Sequence, residues 1–513
     1  MLNRPLSALN CVAEGMLPQG DPRLGAHTLQ HLVLAMLRDR ATGLIRDVDG
    51  VELAVEQVDE VVAQLTMSGV VPGDVVVVKA RNDLGGVASI LGVWALGCAL
   101  CPVDPSGAQE VHAAIVEQSG AKAIVGGDGS VTAVERVCAV PLIELRNPRV
   151  ATGEDLGLII FTSGSSGSPK GVLLTHSNVL CALRAITAYL DIGPCDRILC
   201  IPPMFLDYGV YQVLFAMFAR TTLYLGSGVT NPLRILEMIK SCKPTIIPVV
   251  PALASGLARV LNTFGSVIEG VRIVTNTGGH LAPSSTTALQ RAFPGVQVVP
   301  MYGLTESKRA LFLPAELVES KPGSVGGPMP GLDARVVIAD KDGQLVEAPD
   351  NVDGELYVRG ASVMQGYHSP AAAGGARLIP GHYRDDNWLA TGDLFVRDED
   401  GCLFFRGRSK ALIKQRGYCL YPRDLEAAAE ATVGVESSVV VGRTEPDGDE
   451  SAVLFAVTNV AGDDTAEAAL RDGILAQLHP TIQPRLVKFL KQWPASPVGK
   501  IDLNKLRIMA EEL

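Results

Sequence analysis

The chain has 513 residues, 47% of them hydrophobic and 19% charged, so it can bury large cores and is not a disordered polymer. Lysine and arginine number 44 against 55 aspartates and glutamates, a net charge of −11 that argues against broad binding to nucleic acid or an anionic membrane. A local basic pocket for a phosphate-rich ligand is compatible with that balance.

The opening stretch, MLNRPLSALNCVAEGM, has no long apolar run, so no secretory leader is expected. Val55, Val58, Val61, Val62 and Leu65 recur at helical spacing, with Gly69 as the stop. Pro72-Gly73-Asp74 then turns into residues 75–78, the continuous apolar run of a strand covered on both faces. Residues 85–103 are apolar enough to suggest a membrane span, but four glycines and Pro102 interrupt them. A buried helix running into a strand is expected instead. Cys98 and Cys101 form a C-x-x-C without a second pair or a histidine cluster, so they are read as buried thiols, and an intracellular, cytoplasmic location fits. Similar units recur to about residue 300, which predicts an α/β architecture.

Residues 156–161 form a buried-strand run that delivers the chain into Thr162-Ser163-Gly164-Ser165-Ser166-Gly167-Ser168-Pro169-Lys170-Gly171. Glycines let backbone N–H groups converge on an anion, hydroxyls add donors, and Lys170 adds a full charge. A Walker A loop fails on spacing, because Pro169 stands where its second glycine belongs and Gly171 follows the lysine. A plain Ser/Gly linker does not suit a loop that leaves a core strand directly. In the last hundred residues, 439–441 and 453–457 read as strands around a turn at Asp447-Gly448, followed by a helix over 466–478. The boundary of this small unit is placed near Arg408 to Lys410.

The loop at 162–171 resembles the phosphate loop of the adenylate-forming superfamily, which includes acyl-CoA synthetases, aryl-CoA ligases, luciferases and peptide-synthetase adenylation domains; Ser166 stands where that family usually has threonine. Further segments follow in the family's order. Residues 91–105 resemble its early helix and strand. Pro203-Met204-Phe205-Leu206-Asp207-Tyr208-Gly209 resembles one wall of the acyl pocket, and Asn276-Thr277-Gly278-Gly279-His280 the strand end that approaches adenine. Met301-Tyr302-Gly303-Leu304-Thr305-Glu306 is similar to the family's Y-G-x-T-E. The resemblance implies adenine on Tyr302, a phosphate contact from Thr305 and Mg²⁺ held through Glu306, an oxygen donor suited to a hard cation.

Thr391-Gly392-Asp393 resembles the family's T-G-D, which implies that Asp393 accepts from the ribose hydroxyls; taken alone, it reads equally as a turn aspartate. Arg406-Gly407-Arg408-Ser409-Lys410 resembles the crossover between domains, with Arg408 on ribose or phosphate and Lys410 as hinge. Lys414-Gln415-Arg416-Gly417-Tyr418 resembles the K-x-R-G segment whose glycine lies beside the pantetheine tunnel, which assigns Gly417 and Tyr418 to CoA. Pro497-Val498-Gly499-Lys500-Ile501 is similar to the G-K-I signature carrying the adenylation lysine; Leu503 replaces an arginine often found there.

The implied fold is an α/β protein with doubly covered sheets and a β-barrel-like subdomain in a large domain (1–407), and a small mobile α+β domain (408–513). The implied activity is ATP-dependent adenylation of a carboxylic acid and transfer of the acyl group to the thiol of CoA. Two alternatives stay open: loading of a carrier protein's phosphopantetheine, and a relative that has lost one or both half-reactions. Asp207 aligns with an aspartate that amino-acid-activating relatives keep for the substrate ammonium, while Tyr208-Gly209 looks more like the ligase version. Asp207 also reads as an N-cap for a helix over 210–218. Homodimers are common among similar enzymes.

Overall fold

The computed structural model describes residues 25–134, 150–163, 169–226, 231–368, 377–381, 386–415, 418–445, 450–494 and 501–513. The opening stretch read for a leader, the turn at Asp447-Gly448, and Gly164, Ser165, Ser166, Gly167, Gly417 and Lys500 lie outside these residues. The side chains of Ser163, Lys410 and Tyr418 lie outside them too.

Two sheets carry the large lobe. In the first, the strands Ile45–Asp47, Thr222–Leu225, Arg197–Cys200, Ile246–Val249, Ile273–Asn276 and Gln297–Leu304 lie side by side and parallel. At Gln297–Leu304 the sheet changes character. Its next neighbour, Lys308–Phe312, is antiparallel, and so are Ser324–Pro328, Leu403–Arg408, Asn387–Arg397, Gly354–Gly360 and Leu332–Ala339 beyond it. The second sheet runs Gly366–Tyr367, Pro169–Thr175, Leu156–Ser163, Ala99–Val103, Val75–Lys79, Ala123–Val125 and Val131–Ala133.

The sequence explains these elements locally. Val75–Lys79 is paired in parallel on both sides, as its uninterrupted β-branched run requires. Residues 85–103 form the helix Leu84–Ala95 and the strand Ala99–Val103, both buried; Asp83 caps the helix by accepting from Gly86 N at 2.8 Å. No helix among the described residues is long and apolar enough to cross a membrane. Cys98 and Cys101 are buried free thiols, and burial pushes both thiols up, away from the reactive range. Trp94 is fully buried and donates Nε1–H to Gly157 O at 2.8 Å, tying this helix to the strand Leu156–Ser163. One hydrophobic core joins the two sheets, with Leu158, Ile160 and Val172 from the second meeting Ile198, Leu223, Val299 and Phe395 from the first.

Beyond Arg408 the chain leaves the first sheet through a 3₁₀ turn, Ser409–Ala411. The strands Ser437–Thr444 and Glu450–Val457 pair antiparallel, Leu486–Leu490 adds in parallel, and the helix after them spans Asp464–Ala476. Their apolar cores draw only on residues from Ile413 onward. Among the described residues, hydrogen bonds and ion pairs join this lobe to the large one. Arg406 pairs with Asp424 at 2.7 Å, Arg259 with Glu436 at 2.6 Å, and Ser284 Oγ donates to Glu436 O at 2.8 Å.

Candidate active site

The two strands that flank the segment read as a phosphate loop pair with each other. Leu156–Ser163 pairs antiparallel with Pro169–Thr175, so that Thr162 stands opposite Lys170 and Ser163 opposite Pro169. Lys170 therefore sits on a returning strand, unlike a Walker A lysine at the start of a helix. It is 7% exposed.

The segment 364–368 fastens this hairpin to the first sheet. Gly366 and Tyr367 pair with Leu173 and Val172, and His368 N donates to Gly171 O at 2.8 Å. On its other side, Met364 N donates to Glu306 O at 2.8 Å. Tyr367 closes the junction: its hydroxyl donates to Glu306 Oε1 at 2.5 Å, and Lys170 Nζ lies 5.9 Å from its ring centroid. Burial, then the charge of Glu306, pushes the Tyr367 phenol well above its ordinary range, so it acts as a donor. Tyr367 was not singled out in the sequence; the Gly366-Tyr367 pair alone carries little signal without the bridge it makes.

Thr305 and Glu306 occupy the turn between Gln297–Leu304 and Lys308–Phe312, where the first sheet passes from parallel to antiparallel. Gly303 stands opposite Arg309 in this hairpin, at a register shift following Tyr302. Tyr302 reaches from the same strand to Asp393, donating its hydroxyl to Oδ2 at 2.6 Å. Its ring packs edge-on against Phe395 at 4.9 Å. Asp393 is not a turn residue. It lies inside the strand Asn387–Arg397, after a left-handed Gly392 (φ 76°), and faces Arg408 across the ladder, with Arg408 Nε 3.5 Å from Oδ1.

Burial raises the pKa of Asp393; the Tyr302 hydrogen bond and Arg408 oppose that rise, and the charge of Glu306 adds to it. Tyr302 stands on the strand that runs into the Glu306 turn, so the Tyr302–Asp393 and Tyr367–Glu306 hydrogen bonds join these groups through one hairpin. Lys170, Glu306, Tyr302, Asp393 and Arg408, drawn from four distant segments, thus converge.

Tyr302→Phe is expected to weaken binding that depends on the Asp393 carboxylate about tenfold in KM, the cost of one hydrogen bond to a charged group. It should also move the acid limb of activity to higher pH. The sign follows from Asp393: protonation already sets in above the ordinary aspartate range, and losing the Tyr302 donor raises its pKa further. A pH profile of KM checks this, and an acid limb that stays in place would count against the assignment.

The other predicted residues are placed differently. The helix after Pro203 begins at Asp207, not 210, with Leu206 at the N-cap, so Asp207 belongs to the first turn and is no cap. Its carboxylate pairs with Lys308 at 2.9 Å. Tyr208 is buried, its hydroxyl 2.8 Å from Thr275 Oγ1. Gly279 stands beside Pro251. His280 reaches the small lobe: Nε2 lies 2.6 Å from Arg423 Nη2 and 3.3 Å from Glu430 Oε2.

Sequence reasoning also passed over Lys308-Arg309, a charged pair at the entry to an apolar strand. Lys308 (φ 53°) projects its ammonium 4.2 Å from the Tyr211 ring centroid. Arg309 is 2% exposed, 5.2 Å from the Tyr208 ring centroid, and its Nε and Nη1 have no hydrogen-bond partner among the described residues. Burial raises the phenols of Tyr189, Tyr208 and Tyr211, and the Arg309 charge acts against that rise at each.

Lys170 and Glu306 thus lie with the Tyr302–Asp393–Arg408 group in a two-lobed α/β chain. Residues 54–368 match the family model of AMP-binding enzymes, and the chain belongs to that adenylate-forming family. It is 32% identical over 358 residues to a sulfoacetate–CoA ligase of Cupriavidus necator, covering 68% of this chain and 66% of that protein. It is 27% identical over 459 residues to the phenyloxazoline synthase MbtB of a Mycobacterium species, covering 87% of this chain but only 38% of that protein. The chain therefore spans well under half of that second relative. The ATP-bound MatB of Rhodopseudomonas palustris shares the fold, with a TM-score of 0.78 over 95% of this chain and 99% of that one, at 22% identity.

Proposed function

We propose that the chain adenylates a carboxylic acid with ATP and passes the acyl group to the thiol of CoA. The observation that carries this reading is the convergence of Lys170, Glu306, Tyr302, Asp393 and Arg408. A carboxylate oxygen attacks the α-phosphorus, the new O–P bond forms, and pyrophosphate leaves. The thiolate then attacks the acyl carbon, forming C–S as the bond to AMP breaks. Catalysis of the first step is chiefly positioning and stabilisation of phosphoryl charge. In this reading Tyr302 and Gly303 flank the adenine, Asp393 and Arg408 hold the ribose, and Thr162, Lys170 and Thr305 hold phosphate. Lys500 bridges the acid and α-phosphate, and Gly417 and Tyr418 line the thiol's path.

Glu306 suits Mg²⁺. It is a carboxylate with one oxygen fixed by Tyr367. Magnesium is commonly held by one or two carboxylates together with substrate phosphates, whose charge it offsets.

The Asp207–Lys308 pair favours an acid without an α-ammonium, because the carboxylate that would receive that ammonium already has a cation. Loading of a carrier protein's phosphopantetheine is the second reading, since this chain is also similar across most of its length to a relative that is not named as a CoA ligase. Acid-dependent ATP–pyrophosphate exchange over a panel of acids tests adenylation, and AMP release with CoA against a phosphopantetheinylated carrier tests the acceptor. Absence of exchange with every acid by a folded, ATP-binding protein would favour a relative that has lost turnover; release with the carrier alone would replace CoA.

A further inference from the structure

We propose that Arg309 is the counter-charge for a second anionic group on the acid, so that the preferred substrates carry a further carboxylate or sulfonate. This deepens the adenylation reading and rests on it.

The placement comes first. Arg309 stands opposite Gly303 and three residues beyond Glu306, on the strand that leaves the catalytic turn. Its guanidinium lies among Tyr208 and Phe215, 5.2 and 6.0 Å from their centroids, on the helix that follows the predicted acyl-pocket wall. It is therefore on the acyl side of the phosphate cluster.

The charge balance comes second. An arginine does not lose its proton, so burying it commits a full cation to the interior. Lys308 beside it is matched by Asp207 at 2.9 Å. Arg309 has no such match: among the described residues no carboxylate pairs with it, and Nε and Nη1 donate to nothing. Aromatic faces offset part of a desolvated cation's cost but accept no strong N–H hydrogen bond. The neighbourhood keeps one uncompensated positive charge and at least two idle donors, and a carboxylate or sulfonate satisfies both. A monoacid of the same size leaves them buried and unpaired, which rejects it by penalty as well as by lost attraction.

The test pairs acids that differ only in the second group: butyrate with succinate, and benzoate with isophthalate and 3-sulfobenzoate. Wild-type exchange is expected to favour the best dianion over its partner by about a hundred-fold in kcat/KM. Arg309→Met should erase that preference, and Arg309→Lys should retain part of it. A wild-type protein that prefers the monoacids, or an Arg309→Met variant in which both members fall together, would overturn the proposal and leave Arg309 as packing for the tyrosines. Calorimetric titration of the same acids, without nucleotide, separates this from the parent reading. Dianion-selective binding without exchange would keep the anion site while sinking adenylation; binding without selectivity would sink the anion site alone.

Discussion

Lys500→Ala is expected to lower acid-dependent ATP–pyrophosphate exchange by roughly a hundred- to a thousand-fold, about 3–4 kcal/mol, the usual cost of removing a donor aimed at developing charge. Transfer from preformed acyl-AMP to the thiol should fall far less. The asymmetry follows from the chemistry. Negative charge accumulates on the α-phosphoryl group only while the acid displaces pyrophosphate, so an ammonium there serves the first step. In thiol transfer the charge develops on the acyl oxygen, and AMP departs with its phosphate already formed. Measuring both half-reactions on one preparation checks this. Equal losses would move Lys500 from chemistry to general substrate binding.

The split also requires that the small lobe can present different groups at different steps, and the contacts between lobes are of a kind that permits it. Arg406–Asp424, Arg259–Glu436 and the Arg423–His280–Glu430 group are hydrogen-bonded charges and polar groups, while the apolar clusters stay within their own lobes among the described residues. Polar docking faces separate without exposing a core. Burial alone would raise the Glu430 carboxyl, but His280 and Arg423 bring it down to about 2. A depressed carboxyl contributes its stabilisation fully above its unfolded value and loses it as pH falls toward 2. The Glu430 carboxylate in this contact therefore stays ionised across the neutral range.

The elements were largely legible because their patterns are local. The run at 75–78 reads as a doubly covered strand and forms one, and the glycines and proline within 85–103 mark a buried helix and strand, not a membrane span. The family was legible for a related reason: its motifs are fixed residue types at fixed spacing. What stayed hidden depends on pairing between remote segments. Nothing near Tyr367 in the chain signals that it bridges Glu306 to the strand bearing Lys170. His280 was read for its neighbours at the strand end, but its partner Arg423 lies 143 positions away. Asp207 was weighed as a cap or an ammonium ligand, and the cation that it meets comes from the far side of the sheet's switch in direction.

Gly303→Ala is expected to abolish activity by a hundred-fold or more and to lower thermal stability by roughly 3 kcal/mol, at the upper end of ordinary overpacking. A Cβ there would stand 1.9 Å from Lys308 O, 2.8 Å from Lys308 C and 2.8 Å from Arg309 Cα. All three are backbone atoms of the pairing strand, so no rotamer change relieves the clash. The hairpin must open, and what it holds at its turn is Thr305 and Glu306, while Tyr302 precedes it and Arg309 lies opposite. Displacement of about 1 Å is enough for losses of this order when a group must meet a phosphate. Gly327→Ala is the control: nothing lies within 4 Å of its added methyl group, and the substitution should be close to neutral in melting temperature and in exchange. If Gly303→Ala behaves like that control, the hairpin tolerates separation, and the tight crossing at Lys308 is not what holds Glu306 against Tyr367.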